Sequence, residues 1–125
     1  VYGTAISLGF ATLENFEYVF SAASIDQSFE IAVVRAISAV PMHASCGVIM
    51  GYYFGRYVFS GDRMMLLKSL AVPILFHGAY NFFCNYSFGL ALLLLLGMFL
   101  FCDRLHREFR REQELKQKEA EDRHA

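Results

Sequence analysis

The stretch ILFHGAYNFF, residues 74–83, decides how this chain folds. It is an apolar run that carries His77 and, four residues on, Asn81. Hydrocarbon does not accept an imidazole and an amide without partners. The run therefore calls for neighbouring helices that bring polar groups to meet it. The rest of the chain suits that reading. It is 56% apolar over 125 residues, with 13 Phe, 7 Tyr and no Trp, and its mean hydropathy is +0.37. That is too apolar for an ordinary soluble domain. The net charge of −1 hides a strong asymmetry. Residues 1–102 hold Arg35, Arg56, Arg63 and Lys68 as their only basic groups and Glu14, Glu17, Asp26, Glu30 and Asp62 as their only acids. The other seven basic and seven acidic side chains crowd into residues 103–125. An apolar body with a charged tail reads as an integral membrane protein.

Four apolar segments emerge: Val1 to about Ala22, about Phe29 to Tyr57, about Met64 to Cys84, and about Tyr86 to Cys102. A spanning helix needs about 17–25 residues, and lipid admits only helices or closed barrels. The strand-like alternation of a barrel is absent. The expected fold is all-α: a polytopic transmembrane bundle of about four spans over residues 1–102, then a charged helical tail over 103–125. The first connection, SAASIDQSFE, has no Lys or Arg, the second has three, the third none, and the tail opens with Arg104, Arg107, Arg110 and Arg111. Alternating basic loops place both ends in the cytoplasm. The tail mixes charges at helical spacing, with Glu112–Lys116 and Glu114–Lys118 as expected pairs. The chain opens inside an apolar segment and is expected to be part of a longer membrane domain. Cys46, Cys84 and Cys102 form no CxxC and are expected to be free thiols packed among helices.

Ionisable groups inside a span cost about 2.5–3.5 kcal/mol each on insertion scales and are candidates for function. Here they are Glu14, Arg35, His43 and His77, accompanied by Asn15 and Asn81. Counted from the cytoplasmic ends of their segments, Glu14, His43 and His77 fall in one layer about 20 Å deep. Each lies on a stripe spaced three or four residues apart: Gly3, Ser7, Ala11, Glu14; then Ala39, His43, Gly47, Gly51, Gly55; then Ser69, Pro73, His77, Asn81. Small residues let backbones approach, and polar ones bridge helices. Pro41 and Pro73 are each expected to bend their helix, freeing the carbonyls of Ile37 and Ser69.

The chemistry that fits is a site holding or activating water. Two histidines and one carboxylate can bind a catalytic zinc and leave a position open for water. The same groups without metal can act as base and oxyanion stabiliser. Asn81 suits an oxyanion contact or a supporting hydrogen bond. Arg35 can pair with an acid or a peptide carboxylate, and Glu30 and Glu17 are equally available to it.

GFATLEN (9–15), RAISAVPMHA (35–44) and HGAYN (77–81) together resemble the PrsW family of intramembrane proteases. More distantly the chain is similar to the membrane-embedded CAAX prenyl-protein proteases. Phe10, Glu14 and Asn15 match FxxxEN, His43 the second-motif histidine, and His77 with Asn81 the last motif. The resemblance implies a multi-pass cell-membrane protease that cuts a membrane protein, such as an anti-sigma factor, within or near the bilayer. Glu14, His43, His77 and Asn81 are its expected catalytic residues, with Glu14, His43 and His77 as ligands of Zn2+. The expected partners are the lipid bilayer and a membrane-protein substrate, not nucleic acid. The family also has a Glu-Glu motif on a preceding helix, and no EExxK or EExxxR occurs in residues 1–102. That departure implies an incomplete catalytic unit, and it also suits the alternative of a non-catalytic membrane scaffold with the same fold. A proton or ion transporter using Glu14 and the histidines is a weaker third reading, because one polar layer makes little of a pathway.

Overall fold

A serine, not a proline, divides the second apolar segment. The computed structural model describes residues 1–123, and their regular elements are all helices. These are α1 (Tyr2–Phe20), α2 (Ile25–Ile37), α3 (Ala39–Ser60), α4 (Arg63–Tyr86) and α5 (Phe88–Asp122). A single helix bent at Pro41 was the expectation for the second segment. Instead the chain breaks at Ser38, with φ −126° and ψ −62°. Pro41 has no N–H to give to Ile37, and it falls in the first turn of α3, where that donor has no helical partner anyway. Hydrogen bonds bridge the break. The Ser38 hydroxyl and amide both donate to the Val34 carbonyl, at 2.6 and 3.1 Å. Met42 N–H donates to the Ser38 carbonyl at 3.1 Å.

Other boundaries follow local chemistry. Gly61 ends α3 at φ 68°, a left-handed conformation that glycine adopts without strain. Asp62 caps α4, its carboxylate accepting from Met64 N–H at 2.8 Å. α4 then runs on through Pro73. Ser87 alone separates α4 from α5, and α5 continues for 35 residues across position 102 without a break.

The α3 helix is the hub, packing against each of the other four. Met42, Cys46 and Ile49 from α3, Tyr80 from α4, and Leu95, Met98 and Leu105 from α5 form the core. On the other side α3 crosses α1. A Cβ on Gly47 would lie 2.5 Å from the Thr4 Cα, and one on Gly3 would lie 2.5 Å from the Gly47 carbonyl oxygen. The expected small-residue stripes are thus the contact between these two helices. Two stretches, Ile25–Ser60 and Phe88–Asp122, are long and apolar enough to cross a bilayer. In the second, an 18-residue window of mean hydropathy 2.0 is only 22% buried in the bundle. Leu93, Leu96 and Leu100 point outward from it, which suits hydrocarbon and not water.

The charged end of α5 docks on α3. Arg56 meets Glu112 at 2.6 Å and donates to the Tyr52 hydroxyl at 3.1 Å. That hydroxyl donates to Glu108 at 3.0 Å. The expected Glu112–Lys116 and Glu114–Lys118 pairs are not formed. Arg56 takes Glu112, Lys116 lies 5.9 Å from the Phe59 ring centre, and Glu114 faces Arg110 at 4.0 Å. The Arg56–Glu112 pair is exposed by 42% and 48%. Exposed pairs contribute about 0–1 kcal/mol. Glu112→Gln is therefore expected to leave the thermal midpoint in detergent nearly unchanged; a large drop would mean that the pair is shielded from solvent.

No cysteine is disulfide-bonded. The Cys46 thiol faces the Pro73 carbonyl at 3.6 Å and the Cys102 thiol the Ser45 carbonyl at 3.5 Å. These two are packed among helices as expected, whereas Cys84 points outward.

Candidate metal centre

Three helices meet at one carboxylate. α1 and α3 run antiparallel, since Gly3 faces Gly47 while Ser7 faces His43. The Ser7 hydroxyl donates to the His43 carbonyl at 2.6 Å, fixing the register. Two turns further along α1, Glu14 reaches the His43 side chain. Its Oε2 lies 3.0 Å from His43 Nε2, and its Oε1 lies 3.7 Å from His77 Nε2, on α4. The two imidazole centres are 4.9 Å apart. Phe10, one turn before Glu14, covers both rings at 5.7 and 6.1 Å. The layer expected for Glu14, His43 and His77 is thus a real cluster.

Arg35 completes the arrangement from α2. Its Nη2 donates to Glu14 Oε2 at 2.7 Å and its Nε to Asn15 Oδ1 at 2.6 Å. Neither Glu30 nor Glu17 is its partner. The break at Ser38 turns α2 toward α1 and brings Arg35 to Glu14. Its guanidinium lies 4.0 Å from the Tyr18 ring centre, a cation–π contact. Both members of the Arg35–Glu14 pair are largely buried, at 13% and 14% exposure. A carboxylate there is neutralised by the guanidinium and so can remain charged away from water.

Asn81 lies one turn beyond His77 on α4, but its side chain bonds to none of the three cluster residues; its carbonyl accepts from Asn85 Nδ2 at 2.9 Å. Ser7 and Tyr18 were not singled out as site residues. Tyr18 could have been found, since it lies four residues after Glu14 on the same helix face.

The cluster fits a zinc ion. One atom each from Glu14, His43 and His77 lie within 4.8 Å of one another. Zinc bonds of about 2.0–2.2 Å in a tetrahedron place ligand atoms about 3.3 Å apart, and the carboxylate lies 3.0 and 3.7 Å from the two ring nitrogens. His77 Nε2 is buried and has no hydrogen-bond partner. Buried polar atoms rarely stay unpaired, and a cation facing this nitrogen satisfies it. Two imidazoles and one carboxylate leave a fourth position open.

Fold and site together define a membrane-embedded helical protein with a metal-competent His-His-Glu cluster. The chain belongs to the PrsW family: the profile described as PrsW family intramembrane metalloprotease matches residues 1–103. Among curated relatives, Protease PrsW of Bacillus subtilis (strain 168) is 49% identical over 85 residues, covering 66% of this chain and 37% of that protein. Protease PrsW of Clostridioides difficile (strain 630) is 34% identical over 100 residues, covering 77% of this chain and 42% of that protein. Protease PrsW of Shouchella clausii (strain KSM-K16) is 40% identical over 91 residues, covering 71% and 40% respectively. The chain thus spans less than half the length of these relatives. No solved structure matches it.

Proposed function

We propose that the intact protein is an intramembrane endopeptidase that hydrolyses a peptide bond of a membrane protein, such as an anti-sigma factor, within or near the bilayer. The observation that carries this reading is the convergence of Glu14, His43 and His77 around an unpartnered, buried His77 nitrogen in a chain of the PrsW family. Glu14, His43 and His77 would hold the ion. Zinc, when bound, polarises a carbonyl and lowers the pKa of water. The chain's own residues do the rest. Arg35 keeps Glu14 charged and fixes its rotamer, and Asn15 holds Arg35 in turn. Phe10 excludes bulk water from one side of the imidazoles. Asn81, one turn from His77, is the side chain available to donate to a developing oxyanion.

The same reading places the chain in the cell membrane with four spans: α1, α2 with α3, α4, and the first half of α5. Residues 1–102 form the bundle and residues 103–125 the tail. Arg56, Arg63 and Lys68 put the α3–α4 connection in the cytoplasm, and Arg104, Arg107, Arg110 and Arg111 put the tail there. The α1–α2 connection then lies outside.

Metal content tests the centre. The full-length protein, purified in detergent, is expected to hold about one zinc per chain, and His77→Ala is expected to lose it while keeping its helical circular-dichroism signal. Absence of metal in both proteins, with cleavage intact, would overturn the zinc centre.

A further inference from the structure

We propose that the cavity between α1 and α2 is the subsite for the substrate segment beside the scissile bond, and that Glu17 selects a basic side chain there. This rests on the proteolytic reading above. The cavity holds about 380 Å³ and is lined by Glu14, Glu17, Tyr18, Ser21, Gln27 and Ile31, among others. That volume is within the usual range for ligand sites, about 300–1,000 Å³. It touches the cluster directly, because Glu14 is part of its wall. Glu14 keeps 14% of its side chain exposed, and this cavity is an opening onto it.

The walls suit an extended peptide. α2 buries none of its residues. Its side-chain ties to α1 are few: the Arg35 contacts and the Ser28 hydroxyl, which donates to the Val19 carbonyl at 3.0 Å. The α1–α2 gap is therefore among the less tightly packed of the bundle.

Charge then sets the preference. Arg35 is the only Lys or Arg in residues 1–55, and Glu14 and Asn15 engage it. Glu17 sits three residues beyond Glu14, one helical turn along, and lines the same cavity. No ion pair or side-chain hydrogen bond engages its carboxylate among the described residues. The cavity thus offers one neutralised carboxylate at the cluster and one unneutralised carboxylate beside it. A Lys or Arg on an incoming chain pairs with Glu17, whereas an acidic residue meets repulsion and finds no free cation in the cavity wall among the described residues.

The test uses the full-length protein in liposomes and a set of single-span reporter proteins. They are identical except for Lys, Gln or Glu, scanned through the residues just outside the membrane. Wild type is expected to cut the best-placed Lys reporter roughly two- to fivefold faster than its Glu counterpart, the scale of a partly screened ion pair. Glu17→Gln is expected to level that preference, and Glu17→Lys to reverse it. An unchanged ranking in both variants overturns the proposal. A second arm needs no cleavage. A photo-crosslinking side chain in place of Gln27, in a Glu14→Gln background, is expected to capture the Lys reporter over the Glu reporter, and Glu17→Lys to invert the order. Ranked capture without any cleavage by wild type would sink the proteolytic reading and keep the subsite. Capture insensitive to charge would sink the subsite, even if cleavage is robust.

Discussion

With Glu14 as a proposed zinc ligand, Glu14→Gln is expected to lower cleavage by the intact protein at least about 100-fold, since even supporting contacts of a metal site are worth about 10–100-fold, and to deplete the protein of zinc while the helices stay folded. The amide keeps an oxygen for Arg35 and His43 but loses the charge that both face at 2.7 and 3.0 Å. Arg35 is then a guanidinium, 13% exposed, beside a neutral group. That mismatch costs about 1–3 kcal/mol. Glu14→Ala removes the acceptor as well and is expected to cost about 3–5 kcal/mol, the scale of a buried charge left alone. Combining Glu14→Ala with Arg35→Met should recover part of that loss, since no lone charge remains. Thermal melts, metal analysis and cleavage on the same four proteins separate the effects. Retained cleavage in Glu14→Gln would remove Glu14 from the site. A double variant no more stable than Glu14→Ala would show that Arg35 and Glu14 do not depend on one another.

The second large effect lies away from the cluster. Gly47→Ala is expected to destabilise the bundle by about 2–3 kcal/mol, the upper part of the overpacking range. The new methyl meets the Thr4 Cα at 2.5 Å and the Gly3 carbonyl oxygen at 2.7 Å. Both are backbone atoms, so no rotamer change relieves the clash and the helices must separate. Gly51→Ala and Gly55→Ala are the controls on the same face. The first reaches only the Gly3 Cα, at 4.0 Å, and the second meets nothing within 4 Å. Each should be neutral or gain up to about 1 kcal/mol from helix propensity. If Gly47→Ala melts with Gly55→Ala, the close α1–α3 crossing is not what holds α1 in place.

Much of this was readable before any coordinates. Helices follow from apolar runs too long for strands. Glu14, His43 and His77 could be grouped because a charge in hydrocarbon needs partners, and their distances from the cytoplasmic ends of their segments matched. Three features were not readable. The break at Ser38 depends on where the helix restarts, and Pro41 suits both a bent helix and the first turn of a new one. The Arg35 partner depends on that break, because the turn of α2 decides which acid it meets. The dock of α5 on α3 needs Tyr52 and Arg56 to meet Glu108 and Glu112, 56 residues away in sequence. No local pattern encodes such a separation. Asn81 was read from its spacing to His77, which fixes a helix face but not a hydrogen bond.

The glycine contact between α1 and α3 has a mechanical side. Gly3 and Glu14 are 11 residues apart in α1, about 16 Å along the axis, whereas Gly47 and His43 are one turn apart, about 6 Å. Rotation about the Gly3–Gly47 contact makes α1 the long arm of a lever. One degree of tilt sweeps Glu14 through about 0.3 Å, already beyond the roughly 0.2 Å that a metal bond length tolerates. A pair of residues with no side chains, at the opposite end of α1, thus acts as the fulcrum that sets how closely Glu14 approaches the two histidines.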